Sequence, residues 1–274
     1  MKPYAFLRTT AVALAALALG AAAHAADLTS QLGIQTWTLR NMKFEQVVEF
    51  AKTHGIKNLQ MIGNHMDPKA PVEETKRKKA VLEAAGLKVY TFGVAGTSLD
   101  KEENRRLFEF AKLLDIKVIV VEPNDFEILD NLEELVKEYD IRIAIHNHGI
   151  RSLYGNPAVV RALLKHRDPR MGVCMDAGWI ASTGMDPTKV FKEYEGRVFD
   201  IHLKDKRVEK TQGDDVSFDT HIGEGQGRLQ NLLAELKASN WPGVLAIETD
   251  SGDFAKDPTE FIKHAKAFVE QYGK

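Results

Sequence analysis

Five short apolar runs, from residue 118 onward, each end in, or next to, a histidine or an acidic residue. The polar residues at these run ends are Glu122, His146 with His148, Asp176, His202 and Glu248. Imidazole nitrogens and carboxylate oxygens are common ligands of divalent metals in proteins. One such residue at one strand end is easily explained by chance. A residue of this kind at the end of each of five successive strands predicts a single shared site at one end of a barrel.

Side-chain alternation predicts that these residues face one another. Residues two apart along a strand share a face, so His146 and His148 point to the same side, and so do His202 and Lys204. If all of the run ends point into the mouth of a barrel, carboxylates and imidazoles converge there. Charged groups are buried only at a high cost, so the cluster predicts a divalent cation: Mn²⁺, Zn²⁺, Co²⁺, Fe²⁺ or Mg²⁺.

The elements that would position this site are eight short strands alternating with helical patterns. Apolar runs of this length fit buried parallel strands, and most of them start roughly 25 to 30 residues apart, which is the length of one strand-helix unit. The predicted strands are 33–37, 58–62, 88–92, 117–122, 142–148, 172–176, 198–204 and 244–248. No G-x-G-x-x-G follows the first strand, so a dinucleotide fold loses its main support. We predict an α/β fold of the (β/α)8 TIM barrel type.

Helix boundaries and one long connection complete the predicted organisation. Gly55 is expected to end the first helix, and Asp186-Pro187 to open a later one as cap and first-turn proline. The connection between the seventh and eighth strands is the longest, and its first part, from Asp205 to Gly227, is predicted to be a loop. Loops of that length in compact domains are usually functional.

The amino-terminal segment is typical of a secretory signal peptide. Lys2 and Arg8 are followed by an apolar stretch that ends at the A-x-A site 23–25. We therefore predict a signal peptide over residues 1–25, a barrel domain over 26–274 and a periplasmic or secreted protein without stable membrane insertion after cleavage. An uncleaved membrane anchor is the alternative for this segment.

Charge and cysteine content exclude some classes of function. A formal net charge of −2 gives no support to a nucleic-acid partner, which requires a basic face. The only cysteine, Cys174, lies inside an apolar run, so we predict a small core residue rather than a nucleophile.

The mature chain resembles the xylose isomerase-like family of TIM barrels, the sugar phosphate isomerases and epimerases, over nearly its whole length. The segments that carry the resemblance are Gly33-Ile34-Gln35, Ile145-His146-Asn147-His148-Gly149, Met175-Asp176-Ala177-Gly178-Trp179, Gly196–Asp205, Gly223-Glu224-Gly225 and Ile247-Glu248. The His-Leu-Lys-Asp segment followed by Gly-x-Gly is fairly specific. The order and spacing of all the segments strengthen the match.

The resemblance implies a divalent metal, with manganese favoured, held by a Glu, an Asp, a His and a second Glu. Asp176, His202 and Glu248 carry over directly. For the fourth ligand we favour Glu122, then His148, and His146 remains open. The chain departs from several relatives at three positions, which are Gln60 and His146, where relatives have Glu, and Trp179, where relatives have His.

The chemistry that the resemblance implies is proton removal from a carbon next to a sugar carbonyl, through an enediolate that the metal stabilises. Glu122, Glu248, His146 and His148 are the candidate bases, and Lys204 could stabilise negative charge or donate a proton. Candidate contacts to a small-molecule carbohydrate are Gln35, Trp37 and Trp179.

Several functions remain open at this point. The prediction for the class is a sugar isomerase or epimerase. The nearest alternative is a lyase or hydrolase acting on 3-keto-glycosides, which fits an exported protein. A non-catalytic periplasmic sugar-binding protein is a further alternative, and metal-dependent DNA repair is opposed by export and charge. The sugar, the metal and any homo-oligomeric state are left open by the sequence.

Overall fold

A closed barrel of eight parallel strands forms the body of the protein in a computed structural model that describes residues 27–211 and 214–274. The described strands are β1 (Leu32–Gln35), β2 (Asn58–Met61), β3 (Lys88–Ala95), β4 (Val118–Val121), β5 (Arg142–His146), β6 (Met171–Asp176), β7 (Val198–Leu203), β8 (Lys206–Thr211), β9 (Asp214–Asp219) and β10 (Leu245–Ile247). The order around the barrel is β1-β10-β7-β6-β5-β4-β3-β2. The predicted (β/α)8 fold and its eight strands are confirmed. The predicted signal peptide lies outside the described residues.

Helices between the strands cover the outside of the barrel. They are α1 (Phe44–Thr53), α2 (Val72–Ala84), α3 (Lys101–Leu113), α4 (Ile128–Tyr139), α5 (Pro157–Leu164), α6 (Ala177–Ser182), α7 (Pro187–Glu193), α8 (Leu229–Ala238), α9 (Gly252–Lys256) and α10 (Thr259–Tyr272). Asp186 caps α7 by accepting a hydrogen bond from the Thr188 amide at 2.8 Å, as predicted. Gly55 follows α1 with a φ of +65°, a conformation that favours glycine. Among the described helices, none combines the length and the apolar character needed to cross a membrane.

The register of the sheet brings the ends of β6, β7 and β10 side by side. Asp176 pairs with His202 across β6 and β7, and His202 pairs with Ala246 across β7 and β10. Glu248 is the first residue after β10, two residues beyond Ala246, and its Oε2 atom lies 3.4 Å from His202 Nδ1. Below this level the barrel interior is filled by small buried side chains, Val120, Ala144 and Cys174. The prediction that Cys174 is a core residue is confirmed.

Two sequence-based expectations about local structure were wrong. The segment from Asp205 to Gly227 is not all loop, because β8 and β9 form an antiparallel hairpin within it. The polar hairpin strands lack the apolar runs that revealed the barrel strands, so pattern reading missed them. Trp37 does not continue β1 but lies in a 3₁₀ helix, Thr36–Leu39, and its amide donates a hydrogen bond to the capping Gln35 side chain.

Candidate metal centre

Four side chains from neighbouring strand ends converge at the mouth of the barrel. The Nδ1 atom of His202 lies 3.1 Å from His146 Nε2, 3.8 Å from Asp176 Oδ2 and 3.4 Å from Glu248 Oε2. His146 Nε2 is also 3.6 Å from Asp176 Oδ2. All four side chains are at least nine-tenths buried. Two imidazole nitrogens and two carboxylate oxygens therefore face one small space.

Gln60 orients His202 toward that space. The His202 Nε2 atom lies 2.8 Å from Gln60 Oε1, and a carbonyl oxygen can only accept a hydrogen bond. Nε2 therefore carries the proton in the neutral ring, and the lone pair of Nδ1 is directed into the space that the Asp176 and Glu248 carboxylates also face. A hydrogen bond of this kind to the outer nitrogen is how proteins fix the tautomer of a metal-binding histidine.

Glu122 is placed behind His146 and beside His148. Its Oε2 atom lies 3.2 Å from His146 Nδ1 and 2.5 Å from His148 Nδ1. Burial raises the pKa of Glu122, but the hydrogen bonds from the two histidines outweigh burial and lower this pKa to about 2. The same bond raises the pKa of His148 above its ordinary value. Glu122 therefore groups with the two histidines, whereas His146 also groups with Asp176 and His202.

A buried lysine balances part of the negative charge. Lys204 Nζ lies 3.1 Å from Asp176 Oδ2, 2.7 Å from Glu248 Oε2 and 2.7 Å from Asp250 Oδ2. Burial lowers the pKa of Lys204, but attraction to the carboxylates outweighs burial and holds this pKa well above its usual range. For Asp176 the signs are opposite: burial raises its pKa, but attraction to Lys204 outweighs burial and holds this pKa well below its usual range. One ammonium thus faces three carboxylates, which leaves the cluster negative.

The arrangement fits a divalent cation. In the part of the chain that the structure describes, Asp176 Oδ2 and Glu248 Oε2 are buried and accept no hydrogen bond of acceptable geometry. Asp176 uses its other oxygen, Oδ1, to cap α6 through the Trp179 amide at 2.8 Å. The capping role and the site role of Asp176 are therefore compatible, with one oxygen serving each. These two carboxylate oxygens, which are ion-paired with Lys204, and the two imidazole nitrogens form a donor set that suits Zn²⁺, Mn²⁺, Co²⁺ or Fe²⁺.

The cluster opens into a cavity of about 400 Å³. Predicted site residues that line it are Gln35, Trp37, His146, His148, His202, Lys204 and Glu248. Trp37 is 40% exposed and has the Arg40 guanidinium 4.8 Å from its ring centre. Both polar ends of Gln35 are engaged with the backbone, at Gly93 O and Trp37 N. Trp179 lies beside the cavity lining, with the Lys206 ammonium 3.9 Å above its ring.

Three supporting residues were missing from the predicted site. Gln60 is the next-to-last residue of β2, and its position close to the end of that strand was the available signal. Asp250 shares a strand face with Glu248, so alternation could have selected it. Asp219 pairs with the buried Lys206 and accepts a hydrogen bond from the Asp250 amide at 2.6 Å. Because Asp219 lies on the hairpin, nothing local in the sequence connected it with the site.

Curated relatives of this chain include enzymes named inosose dehydratase. The chain is 23% identical to the inosose dehydratase of Lacticaseibacillus casei, in a match that covers 89% of this chain and 97% of that protein. It is 24% identical to the inosose dehydratase of Clostridium perfringens, over 73% of this chain and 72% of that protein.

Solved structures share the fold. A D-tagatose 3-epimerase-like protein matches with a TM-score of 0.68 and 20% identity, over 88% of this chain and 98% of that chain. The IOLI protein, solved with a bound zinc atom, matches with a TM-score of 0.69 and 16% identity over 89% and 98% of the two chains. A barrel from Mycobacterium smegmatis in complex with magnesium matches with a TM-score of 0.61 and 12% identity, over 84% and 91%.

The family model described as xylose isomerase-like TIM barrel matches residues 48–272. That match includes seven of the eight barrel strands and all four side chains that converge at the barrel mouth. The resemblance inferred from the sequence motifs is confirmed. The chain belongs to the xylose isomerase-like TIM barrel family.

Proposed function

We propose that this protein is a divalent-metal-dependent enzyme that removes a proton next to the carbonyl of a carbohydrate and then eliminates a β-substituent. The observation that carries the proposal is the convergence of His146, Asp176, His202 and Glu248 on one buried space that opens into a cavity. The inosose dehydratase relatives support elimination as the outcome, since a dehydratase is a lyase.

His146, Asp176, His202 and Glu248 would hold the cation. When bound, the cation would supply Lewis-acid polarisation of the substrate carbonyl. In this assignment Glu122 is the outer partner of His146 rather than a ligand, because its carboxylate contacts the ring nitrogen that faces away from the cluster. The likeness to proteins solved with zinc and with magnesium supports a divalent metal without favouring manganese.

His148 is our choice for the group that moves the proton. It lines the cavity with its side chain 46% exposed, and Glu122 holds its Nδ1 atom. Nε2 is then the ring nitrogen left for substrate, as in other carboxylate-supported histidine bases. Lys204 places a positive charge beside the space where oxyanion charge would develop, and it also orients Asp176 and Glu248.

A sugar isomerase or epimerase is the second candidate. The D-tagatose 3-epimerase-like neighbour and the family itself favour it, and the first step would be the same proton abstraction. The two functions part after this step, because an isomerase returns the proton to carbon whereas a lyase expels a substituent. A non-catalytic sugar-binding protein is the third candidate, and it would require no metal.

The test is proton NMR in D₂O on the purified protein loaded separately with Zn²⁺, Mn²⁺ and Mg²⁺. The substrate panel contains inososes, free ketoses and 3-keto-glycosides. We expect loss of the signal next to the carbonyl together with release of water or of an aglycone. Deuterium incorporation with a new isomer would instead establish the second candidate. No exchange with any metal or substrate would contradict both.

Matched histidine variants sharpen this test. His148→Gln should abolish exchange while metal content stays unchanged, because His148 is proposed to move the proton and not to bind the metal. His166→Gln is the control, since His166 is exposed just beyond α5 and precedes the start of β6, whereas the site residue Asp176 ends that strand. Full activity of His148→Gln would overturn its assignment.

We also propose export to the periplasm or the medium, from the signal-like residues 1–25. Mass spectrometry of the protein recovered from a periplasmic extract should give a chain that begins at Ala26. An intact chain confined to the cytoplasm would contradict the proposal.

A further inference from the structure

We infer that the substrate carries an uncharged apolar substituent, an aryl or alkyl group, that binds in a second cavity next to the metal-site cavity. This inference rests on the proposed function, because it assigns the sugar part of the substrate to the metal-site cavity. It concerns a different surface, formed by the segment after β2, the end of β3 and the start of α3.

The two cavities are contiguous. The second one has a volume of about 290 Å³, and it shares Gly63 and Val94 with the metal-site cavity. Val94 is 39% exposed although it lies between two buried neighbours on the chain, so an apolar side chain stands uncovered at the junction. A molecule with its sugar at the metal site could extend directly across this junction.

The lining of the second cavity selects for a neutral apolar group. Its apolar wall consists of Pro68, Phe92, Val94, Ala95 and Leu107. The charged residues at its edge are two acids, Asp67 and Glu103, and two bases, Lys69 and Arg106, which lie 3.3 Å and 3.7 Å from Glu103. Their formal charges cancel, so the edge carries no net positive charge that would favour a phosphate. Apolar surface gains free energy when water is removed from it, so the favoured occupant is uncharged.

Two glycines keep the second cavity open. A Cβ added at Gly63 or Gly96 would have no atom within 4 Å, and neither residue has a positive φ that would strain a side chain. Gly96 lines only the second cavity, whereas Gly63 lines both. Larger side chains at Gly96 should therefore fill the second cavity and leave the metal-site cavity unchanged.

The test compares binding of methyl and phenyl β-glycosides to the metal-loaded protein by calorimetry. The panel contains the glucose, galactose, mannose and xylose pairs. For each sugar that binds, we expect the phenyl glycoside to bind about tenfold more tightly, the ratio that 1.4 kcal/mol of added apolar contact gives. Gly96→Leu should reduce this ratio to below about twofold with methyl glycoside affinity unchanged, and Gly96→Ala should give an intermediate ratio.

Three results would overturn the inference. They are equal affinities of the methyl and phenyl pairs, a phenyl preference that survives in both Gly96→Leu and Gly63→Leu, and the absence of binding by every glycoside. Melting temperature and metal content of each variant identify a folding defect, and the second leucine variant serves if the first does not fold. A phenyl preference without any proton exchange in D₂O would contradict the proposed function and leave this inference standing. Proton exchange without a phenyl preference would contradict this inference and leave the proposed function standing.

Discussion

The mouth of the barrel has a charged half and a neutral half. The ends of β5, β6, β7 and β10 contribute the charged half, which consists of His146, Asp176, His202, Lys204 and Glu248. The ends of β1, β2 and β3 contribute the neutral half, which consists of Gln35, Gln60, Val94 and the open space above Gly63. Glu122, after β4, marks the boundary between them.

This division separates two tasks. In the charged half, neighbouring strands hold their side chains within 2.7 to 3.8 Å of one another, which suits the binding of a cation and the movement of protons. In the neutral half, one amide orients a histidine, and the remaining surface is shaped by small residues and by short segments after the strands. Chemistry that the family shares can stay constant in one half while substrate preference changes in the other.

Removing a ligand from the charged half should have the largest effect. We expect Asp176→Asn or His202→Ala to lower kcat/KM roughly thousandfold or more, because carbonyl polarisation is lost with the metal. A divalent metal at 100 times its Kd should stabilise the wild type by about 2.7 kcal/mol and the variants far less. Metal analysis and thermal unfolding with and without a chelator measure both effects. Full metal content and turnover in the variants would refute the site.

The stability of the protein should be next most sensitive to Asp205, which lies just after β7 and anchors the segment that follows it. The Asp205 carboxylate accepts hydrogen bonds from the amides of Lys206, Gly223, Gly225 and Gly227, each at 3.0 Å. Asp205→Ala should lower the free energy of unfolding by about 3 kcal/mol, since several buried N–H groups lose their acceptor. Asp205→Asn, which keeps one acceptor oxygen, should cost less. Urea titration measures both, and equal stability of all three proteins would contradict the anchoring role.

Substitution of Glu122, the boundary residue, should have an intermediate effect on metal affinity and activity. Glu122→Gln keeps the shape of the side chain and removes its charge, so His146 and His148 lose their charged partner. Loss of an outer partner of a metal-binding histidine typically lowers affinity or activity about 10 to 100-fold. Metal affinity and kcat are to be measured separately. A loss of metal as complete as in Asp176→Asn would make Glu122 a ligand.

The neutral half should give the smallest effect. Trp37→Ala should raise KM about tenfold, because a half-exposed aromatic surface at the cavity edge is lost. The value of kcat should change little, since Trp37 contacts none of the converging ligands. Steady-state kinetics on the substrate identified by NMR provide the measurement. A fall in kcat at constant KM would place Trp37 in the chemical step and remove the contrast between the halves.

The sequence was sufficient to predict the barrel and most of the charged half. Val118–Val121 is apolar throughout and its counterparts are largely apolar, because strands of a barrel are buried on both faces, and that signal is local. The polar residue that ends each run then follows from strand direction alone. This is why Asp176, His202 and Glu248 were predicted together, and why the structure brings them together.

The rest depended on distances across the barrel. The sequence favoured Glu122 as the fourth ligand, then His148. The packing of β4 against β5 instead puts the Glu122 carboxylate behind the His146 imidazole. The bond between Gln60 and His202 joins residues 142 positions apart, and the Asp219 contact comes from a hairpin without an apolar pattern. Local patterns report burial and strand direction. Which atoms meet, and where a second cavity opens beside Gly96, is decided by the closure of the barrel.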